Sequence, residues 1–155
     1  MAKSKRPAKT ILNRRARYDY AIEDTLIVGM ELTGAETKAL RLGHGQLTGA
    51  YVTINNGQLN LINANISGTT GIRIPESEQT RSRRLLAKRR EIERLAEVKQ
   101  QGKTIIPLEI LNQGRFIKLK IALAKGKKRY DKRETIKARN AERQINANLK
   151  RTRQA

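Results

Sequence analysis

No cysteine occurs anywhere in the chain. Disulfides, thiolate nucleophiles and the usual zinc patterns are excluded together, and the sequence is silent on redox compartment. Long apolar runs are missing as well, since no stretch of about 18 apolar residues exists to cross a bilayer. The basic segments hold no tryptophan or phenylalanine with which to sit at a lipid interface, so no membrane partner is expected. The first seventeen residues, MAKSKRPAKTILNRRAR, are cationic but contain no apolar stretch followed by a cleavage signal. That excludes a secretory leader and predicts a cytoplasmic protein. The single histidine, His44, lies between Gly43 and Gly45, a loop setting with no partner for acid–base work. Walker spacing with its Lys-Ser/Thr is absent from that glycine pair. With no carboxylate cluster or histidine pair, no catalytic residue, metal or cofactor is expected, and a nuclease is the weakest of the readings considered.

Acids are also scarce. Thirty-four Lys and Arg face fourteen Asp and Glu, a net charge of +20 on 155 residues. Such a charge repels itself in a compact state and calls for a polyanionic partner, with nucleic acid foremost. The charge is partitioned along the chain. Residues 1–17 carry seven basic and no acidic groups, 18–80 three and seven, 81–103 nine and three, 104–124 three and one, and 125–155 twelve and three. A slightly acidic body with basic appendages suits a folded module held against phosphates, the cations supplying affinity and the body shape. The expected organisation is a basic arm over 1–12, one nucleic-acid-binding body over 13–124 that buries roughly 70% of its unfolded surface, and a basic tail over 125–155.

The body reads as mainly β. YDYAIEDTLIVGMELTG alternates through Tyr18, Tyr20 and Ile22, breaks at Glu23-Asp24, and alternates again from Leu26 to Leu32, which predicts strand, turn, strand. Thr33 with Glu36 three residues on predicts a short capped helix ending near Gly43. Val52 and Ile54 before Asn55-Asn56-Gly57, with Leu59 and Leu61 after it, predict a hairpin. Residues 63–79 read as a long connection. TRSRRLLAKRREIERLAEVKQQ, with Leu85, Ile92, Leu95 and Ala96 in helical register, predicts one helix from Thr80 to a stop at Gly102. A second hairpin follows around Asn112-Gln113-Gly114, with Pro107 marking an edge or a bulge. Five or six short antiparallel strands with helices between them are expected to close into a small OB-like barrel, a flat α+β sheet being the alternative.

The segments NRRARYDYAIED, LTGAETKALRLG, YVTINNGQLNLINANI, RSRRLLAKRREI and LAKGKKRYDKRETIK stand in the order and spacing of the SsrA-binding protein (SmpB) family, and the chain resembles that family over residues 11–139. The resemblance implies a six-stranded OB-like barrel with about three helices that binds transfer-messenger RNA (tmRNA) at its tRNA-like domain and delivers it to stalled ribosomes for trans-translation. It implies no enzyme and a monomer when free. The basic C-terminal tail would occupy the small-subunit decoding centre and the empty message channel against ribosomal RNA. Asn13, Arg15 and Tyr20 match the RNA-facing N-terminal motif, and Leu86 and Lys118 match positions tied to tmRNA. Gly126, Lys127, Lys128, Tyr130, Asp131, Lys132 and Arg133 match the tail motif. Two departures stand out: Ile27 replaces an acidic residue common two positions ahead of Gly29, and IPESEQTRSRR lacks the usual acidic–proline pair near the arginines.

From the residues themselves, Arg81, Arg83, Arg84, Lys88, Arg89 and Arg90 oppose a single Glu in 81–91 and predict a phosphate-facing patch, with Arg84 carried as a tmRNA contact. With 3% aromatic residues, stacking platforms are few; Tyr18, Tyr20 and Tyr51 divide between the edge of a core and RNA contact. Tyr130 has no apolar neighbours at core spacing, which favours a nucleobase. The tail's thin stripe of Ala138, Ala141, Ile145 and Leu149 buries too little to offset ordering thirty-odd residues, so the tail is expected to be disordered when free and to fold on RNA, with Gly126 as a hinge. A structural ribosomal protein is the competing reading, since basic tails on a small β body are common there.

Overall fold

The structure, a computed structural model, describes residues 10–153, with the side chains of 129–131 outside that description. Most of the expected N-terminal arm, residues 1–9, and the last two residues of the tail therefore lie outside the described residues. The chain opens with a two-residue strand β1 (Ile11–Leu12) and one helical turn α1 (Ala16–Asp19), then enters the long strand β2 (Tyr20–Met30). The expected strand, turn, strand is thus one strand. Glu23-Asp24 marks a bulge, where the pairing jumps from Ile22 to Asp24, and the bulge flips which residues face the core. Tyr18 lies in α1, before the strand begins.

Helix α2 (Gly34–Arg41) starts as expected. The Thr33 hydroxyl accepts from the Glu36 N–H at 3.2 Å, and the Glu36 carboxylate accepts from the Thr33 N–H at 3.1 Å. After β3 (Gly45–Gln46) comes the hairpin of β4 (Tyr51–Asn55) and β5 (Gln58–Ile62), paired Val52 to Leu61 and Ile54 to Leu59. Asn56 and Gly57 hold positive φ, 50° and 72°, the twist a two-residue turn needs to match its strands. Residues 63–79 form a connection, as expected, broken by β6 (Asn65–Ile66), which pairs with β3, and a single turn α3 (Glu76–Gln79).

The helix expected from Thr80 begins only at Arg89. Residues Arg83–Leu86 are instead a strand, β7, pairing β5 and β2, and the helix α4 spans Arg89–Gln100 before Gly102 (φ 84°) stops it. Leu85 is buried because strand alternation points it inward, and its match to the helical register of Ile92 and Leu95 is a coincidence of spacing. The last strands, β8 (Thr104–Leu111) and β9 (Lys118–Gly126), form the second expected hairpin around a loop that includes Phe116, and Pro107 sits at a bulge in β8.

Seven strands make one antiparallel sheet in the order β1-β8-β9-β2-β7-β5-β4, with β3 and β6 as a separate pair. The six-stranded closed barrel is therefore corrected to an open sheet that curls until β4 lies against β8, with no ladder between them among the described residues. The β4–β5 hairpin supplies one edge and the two-residue β1 the other, too short to pair beyond β8. Within the curl, Val28, Leu59, Leu61, Leu85, Ile105, Ile110, Leu119 and Ile121 pack with Leu40 of α2 and Leu95 of α4. On the outer face, α1 covers one end through Ala16 on Ile106, Leu108, Ala122 and Ala124, with Tyr20 and Ile22 alongside.

The tail expected to be disordered when free is a helix, α5 (Arg129–Arg153). No Gly or Pro occurs from 127 to 153, and Ala, Arg, Lys, Glu and Gln dominate, so local propensity favours the helix even with Ile145 and Leu149 more than half exposed.

Candidate nucleic-acid interface

Strand alternation decides what the uncovered outer face presents. Val28, Leu85, Leu119 and Ile110 point into the core, so their neighbours point out. Leu86 on β7 pairs with Gly29 on β2, which pairs with Lys118 on β9, which pairs with Leu111 on β8. The next row runs Ile27, Lys120, Glu109 and Leu12 from β2 to β1. Leu86, Ile27 and Leu12 are each about half exposed, at 51%, 52% and 54%. Gly29 leaves a shallow spot between Leu86 and Lys118, where an added Cβ would come within 3.2 Å of the Leu86 Cβ. Arg84, two residues before Leu86 and opposite Asn60 of β5, is exposed on the same face. The structure thus brings Arg84, Leu86 and Lys118 together as an apolar and cationic surface, and adds Ile27, whose exposure the sequence did not signal.

Arg83 does not belong to this surface. It is fully buried, and all five guanidinium N–H groups are satisfied: Nε on the Glu36 carboxylate (3.1 Å), Nη1 on the carbonyls of Ala64 (2.7 Å) and Arg81 (3.1 Å), Nη2 on those of Glu78 (3.2 Å) and Gln79 (2.9 Å). Arg81 donates to both oxygens of the same carboxylate at 2.7 and 2.8 Å. Burial pushes the Glu36 carboxyl up, but the bonds from Arg81 and the Thr33 N–H, with the Arg83 charge, more than reverse this and hold it below the ordinary glutamate value. The six-cation patch is thereby divided: Arg81 and Arg83 tie the 63–79 connection and β7 to α2, while Arg84, Lys88, Arg89 and Arg90 are exposed. Arg89 pairs with Glu93 at 3.0 Å.

A second group gathers at the far end of β2, about 30 Å along the strand from Gly29. Asn13, Arg15 and Tyr20 line a concavity of about 450 Å³ together with Thr48, Gly49 and Tyr51. Arg15 and Tyr51 are exposed there. Asn13 is committed to the fold, its amide donating to the Pro107 carbonyl (2.9 Å) and its N–H to that of Leu108 (2.7 Å) at the β8 bulge. Tyr20 pairs with Gly126, the last residue of β9, so this concavity adjoins the root of the tail.

The tail residues are held at that root. The Lys127 N–H donates to the Asp19 carbonyl (3.0 Å), and its ammonium to the Arg17 carbonyl (2.9 Å) and the Thr135 hydroxyl (2.8 Å). Lys132 pairs with Asp19 at 3.5 Å and sits 5.7 Å from the centre of the Tyr18 ring. Asp19 is thus the counter-ion that docks α5 on α1, a residue the sequence reading passed over although its i, i+4 spacing from Arg15 marked it. Gly126 has ordinary extended pairing and open space around it. Lys128 and Arg133 are exposed, and Tyr130 and Asp131 lie in the first turn of α5 with side chains outside the described residues. Among the described residues no helix is long and apolar enough to cross a membrane.

The model of the SmpB protein family matches residues 10–151. The SsrA-binding protein of Gloeobacter violaceus is 42% identical over 140 residues, which span 90% of this chain and 92% of that protein. The SsrA-binding protein of Caldicellulosiruptor bescii is 45% identical over 139 residues, spanning 89% and 88%. A chain in a solved structure described as tmRNA-SmpB on a journey to the center of the bacterial ribosome is 36% identical, with a TM-score of 0.64 over 82% of this chain and 94% of that one.

Proposed function

The chain belongs to the SmpB protein family, and from that premise we propose that it binds tmRNA and acts with it on the ribosome in trans-translation, in the cytoplasm. The observation that carries this reading is the match of nine-tenths of the chain to SsrA-binding proteins; the exposed residues of the fold support the following division of labour. The open outer face around Leu86, Gly29 and Lys118 is assigned to the tRNA-like domain of the RNA. Arg84 and Lys118 supply phosphate contacts, and Leu86 and Ile27 supply an apolar shelf for a ribose or a base edge, a role in which Ile27 needs no acceptor. Arg15, Tyr20 and the concavity they line extend that contact toward the tail, with Asn13 fixing the loop beneath them.

Helix α5 is assigned to the ribosome. Twenty-five residues at 1.5 Å each make a rod about 38 Å long. Its exposed cations, Arg133 among them, and Lys128 just ahead of it face phosphates of the decoding centre and message channel, and Tyr130 stacks on a base. Lys127 and Lys132 set the angle at which the rod leaves the body. Nothing in this role calls for bond-breaking chemistry by the protein.

The test is binding of this protein to tmRNA from the same organism against an equal-length control RNA near 0.2 M salt, where non-specific phosphate contacts weaken. Selective binding is expected, with Lys118→Ala weakening it and lowering the slope of log K against log salt by about one. Equal affinity for both RNAs would overturn the reading in favour of a structural ribosomal protein.

A further inference from the structure

Phe116 is the chain's single phenylalanine, and at 69% exposure it is the most exposed large apolar residue described. Such a side chain gains free energy by leaving water, so a pliant loop would fold it down onto the body. This loop is not pliant. Arg41 at the end of α2 donates to three of its carbonyls, through Nη1 to Asn112 (3.0 Å) and Gly114 (2.7 Å) and through Nη2 to Arg115 (2.8 Å). From inside, the Asn112 amide donates to the Leu40 carbonyl at 2.7 Å. Ile117 is anchored in the core at the end of the loop, with Phe116 exposed just before it and Lys118 exposed just after it at the start of β9. The Arg115 guanidinium lies 5.4 Å from the ring centre.

We propose that Phe116 and Arg115 form a preorganised stacking platform for one unpaired nucleobase of the bound RNA, at the rim of the surface formed by Leu86, Gly29 and Lys118. The inference rests on the RNA-binding reading above and adds a base-stacking site that the motif positions did not contain. The chemistry selects a base. An aromatic ring next to a planar cation accepts a flat π surface, and residues 110–120 carry Arg115, Lys118 and Lys120 without an acid among them. Because every base has a π face, the platform supplies affinity with little sequence preference.

The chain contains no tryptophan, so Phe116→Trp gives a single-tryptophan protein whose indole, excited to the red of the four tyrosines, reports stacking directly. Its emission is expected to be quenched by tmRNA and by a short single-stranded oligoadenylate. Phe116→Ala is expected to weaken tmRNA binding roughly ten- to hundredfold, on the scale of about 1–3 kcal/mol per stacked base. Unlike Lys118→Ala, it should leave the salt slope unchanged, and Phe116→Tyr should restore affinity. The substitutions are at an exposed position, and a circular dichroism melt matching the parent excludes misfolding. Selective tmRNA binding that is unchanged in Phe116→Ala, or an indole unquenched by either RNA, would overturn the platform. Quenching by oligoadenylate in a protein that does not prefer tmRNA would overturn the functional reading and leave the platform standing.

Discussion

Glu36→Gln should unmake the interior tie on which the outer face rests. The Glu36 and Arg83 side chains are 2% and 0% exposed. Removing the carboxylate charge leaves the Arg83 guanidinium buried without a counter-charge, a loss of about 3–5 kcal/mol. Arg81 adds little, because its side chain is a third exposed and can turn to water. The helix cap survives, since a glutamine carbonyl still accepts from the Thr33 N–H. Against a total stability of about 5–15 kcal/mol the change is large, and at roughly 2–4 °C per kcal/mol it lowers the melting temperature by about 6–20 °C. Urea unfolding followed by circular dichroism measures it directly. The double replacement Glu36→Leu with Arg83→Met should recover much of the loss, because no charge then remains buried. Acid gives an independent reading. The folded-state pKa of Glu36 is lowered, so its stabilisation is complete above the unfolded value of about 4.3 and is lost as pH falls through the folded value. The gap between wild type and Glu36→Gln should therefore narrow below pH 4. A loss under about 1 kcal/mol at pH 7, or RNA affinity falling in Arg83→Lys with stability intact, would refute the structural role and return Arg83 to the phosphate-facing patch.

Two further outcomes follow from the root of the tail. Asp19→Asn removes the counter-ion of Lys132, and hydrogen exchange should show the first turns of α5 losing protection while β9 is unchanged; equal protection in both proteins would mean that α5 docks without that pair. Truncation after Gly126 should leave tmRNA affinity within about threefold while abolishing tagging of nascent chains on stalled ribosomes, and tagging that survived would show that the body alone engages the ribosome.

What was legible in the sequence was local. Thr33 and Glu36 announce their helix because a capping box is complete within four residues, and Asn56-Gly57 announces its hairpin because the turn needs positive φ at those two positions. The stretch from Thr80 misled because Arg83–Leu86 is too short for a period of two to outweigh the chance register of Leu85 with Ile92. β2 was divided because a bulge and a turn leave the same polar mark at Glu23-Asp24. Closure was beyond reach altogether: whether β4 pairs with β1 or merely lies against β8 depends on accumulated twist. The interface has the same character. Leu86 and Lys118 entered through family resemblance, and their adjacency across Gly29 is a matter of register among three strands remote in sequence.

The charge partition acquires a second meaning from the ion pairs. The acids of residues 18–80 looked like the mild counterweight of a body that offers its cations to phosphates. In the fold they hold the basic segments in place: Glu23 pairs with Lys103, Asp24 with Arg94 of α4 at 2.7 Å, Glu36 with Arg81 and Arg83, and Asp19 with Lys132 of α5. Each such pair withdraws a cation from the RNA-binding pool, so density of Lys and Arg along the chain overstates the interface. Arg83 is the extreme case, since it stands among arginines in the sequence and is sealed in the core. What the acids leave unneutralised is spatially selective. Arg84 and Lys118 stay exposed on the outer face, Arg115 beside Phe116, and Arg133 on α5. An RNA approaching this molecule therefore meets exposed cations at the open face and along the rod, while cations such as Arg94 and Lys132 at the helix docking points already face an acid.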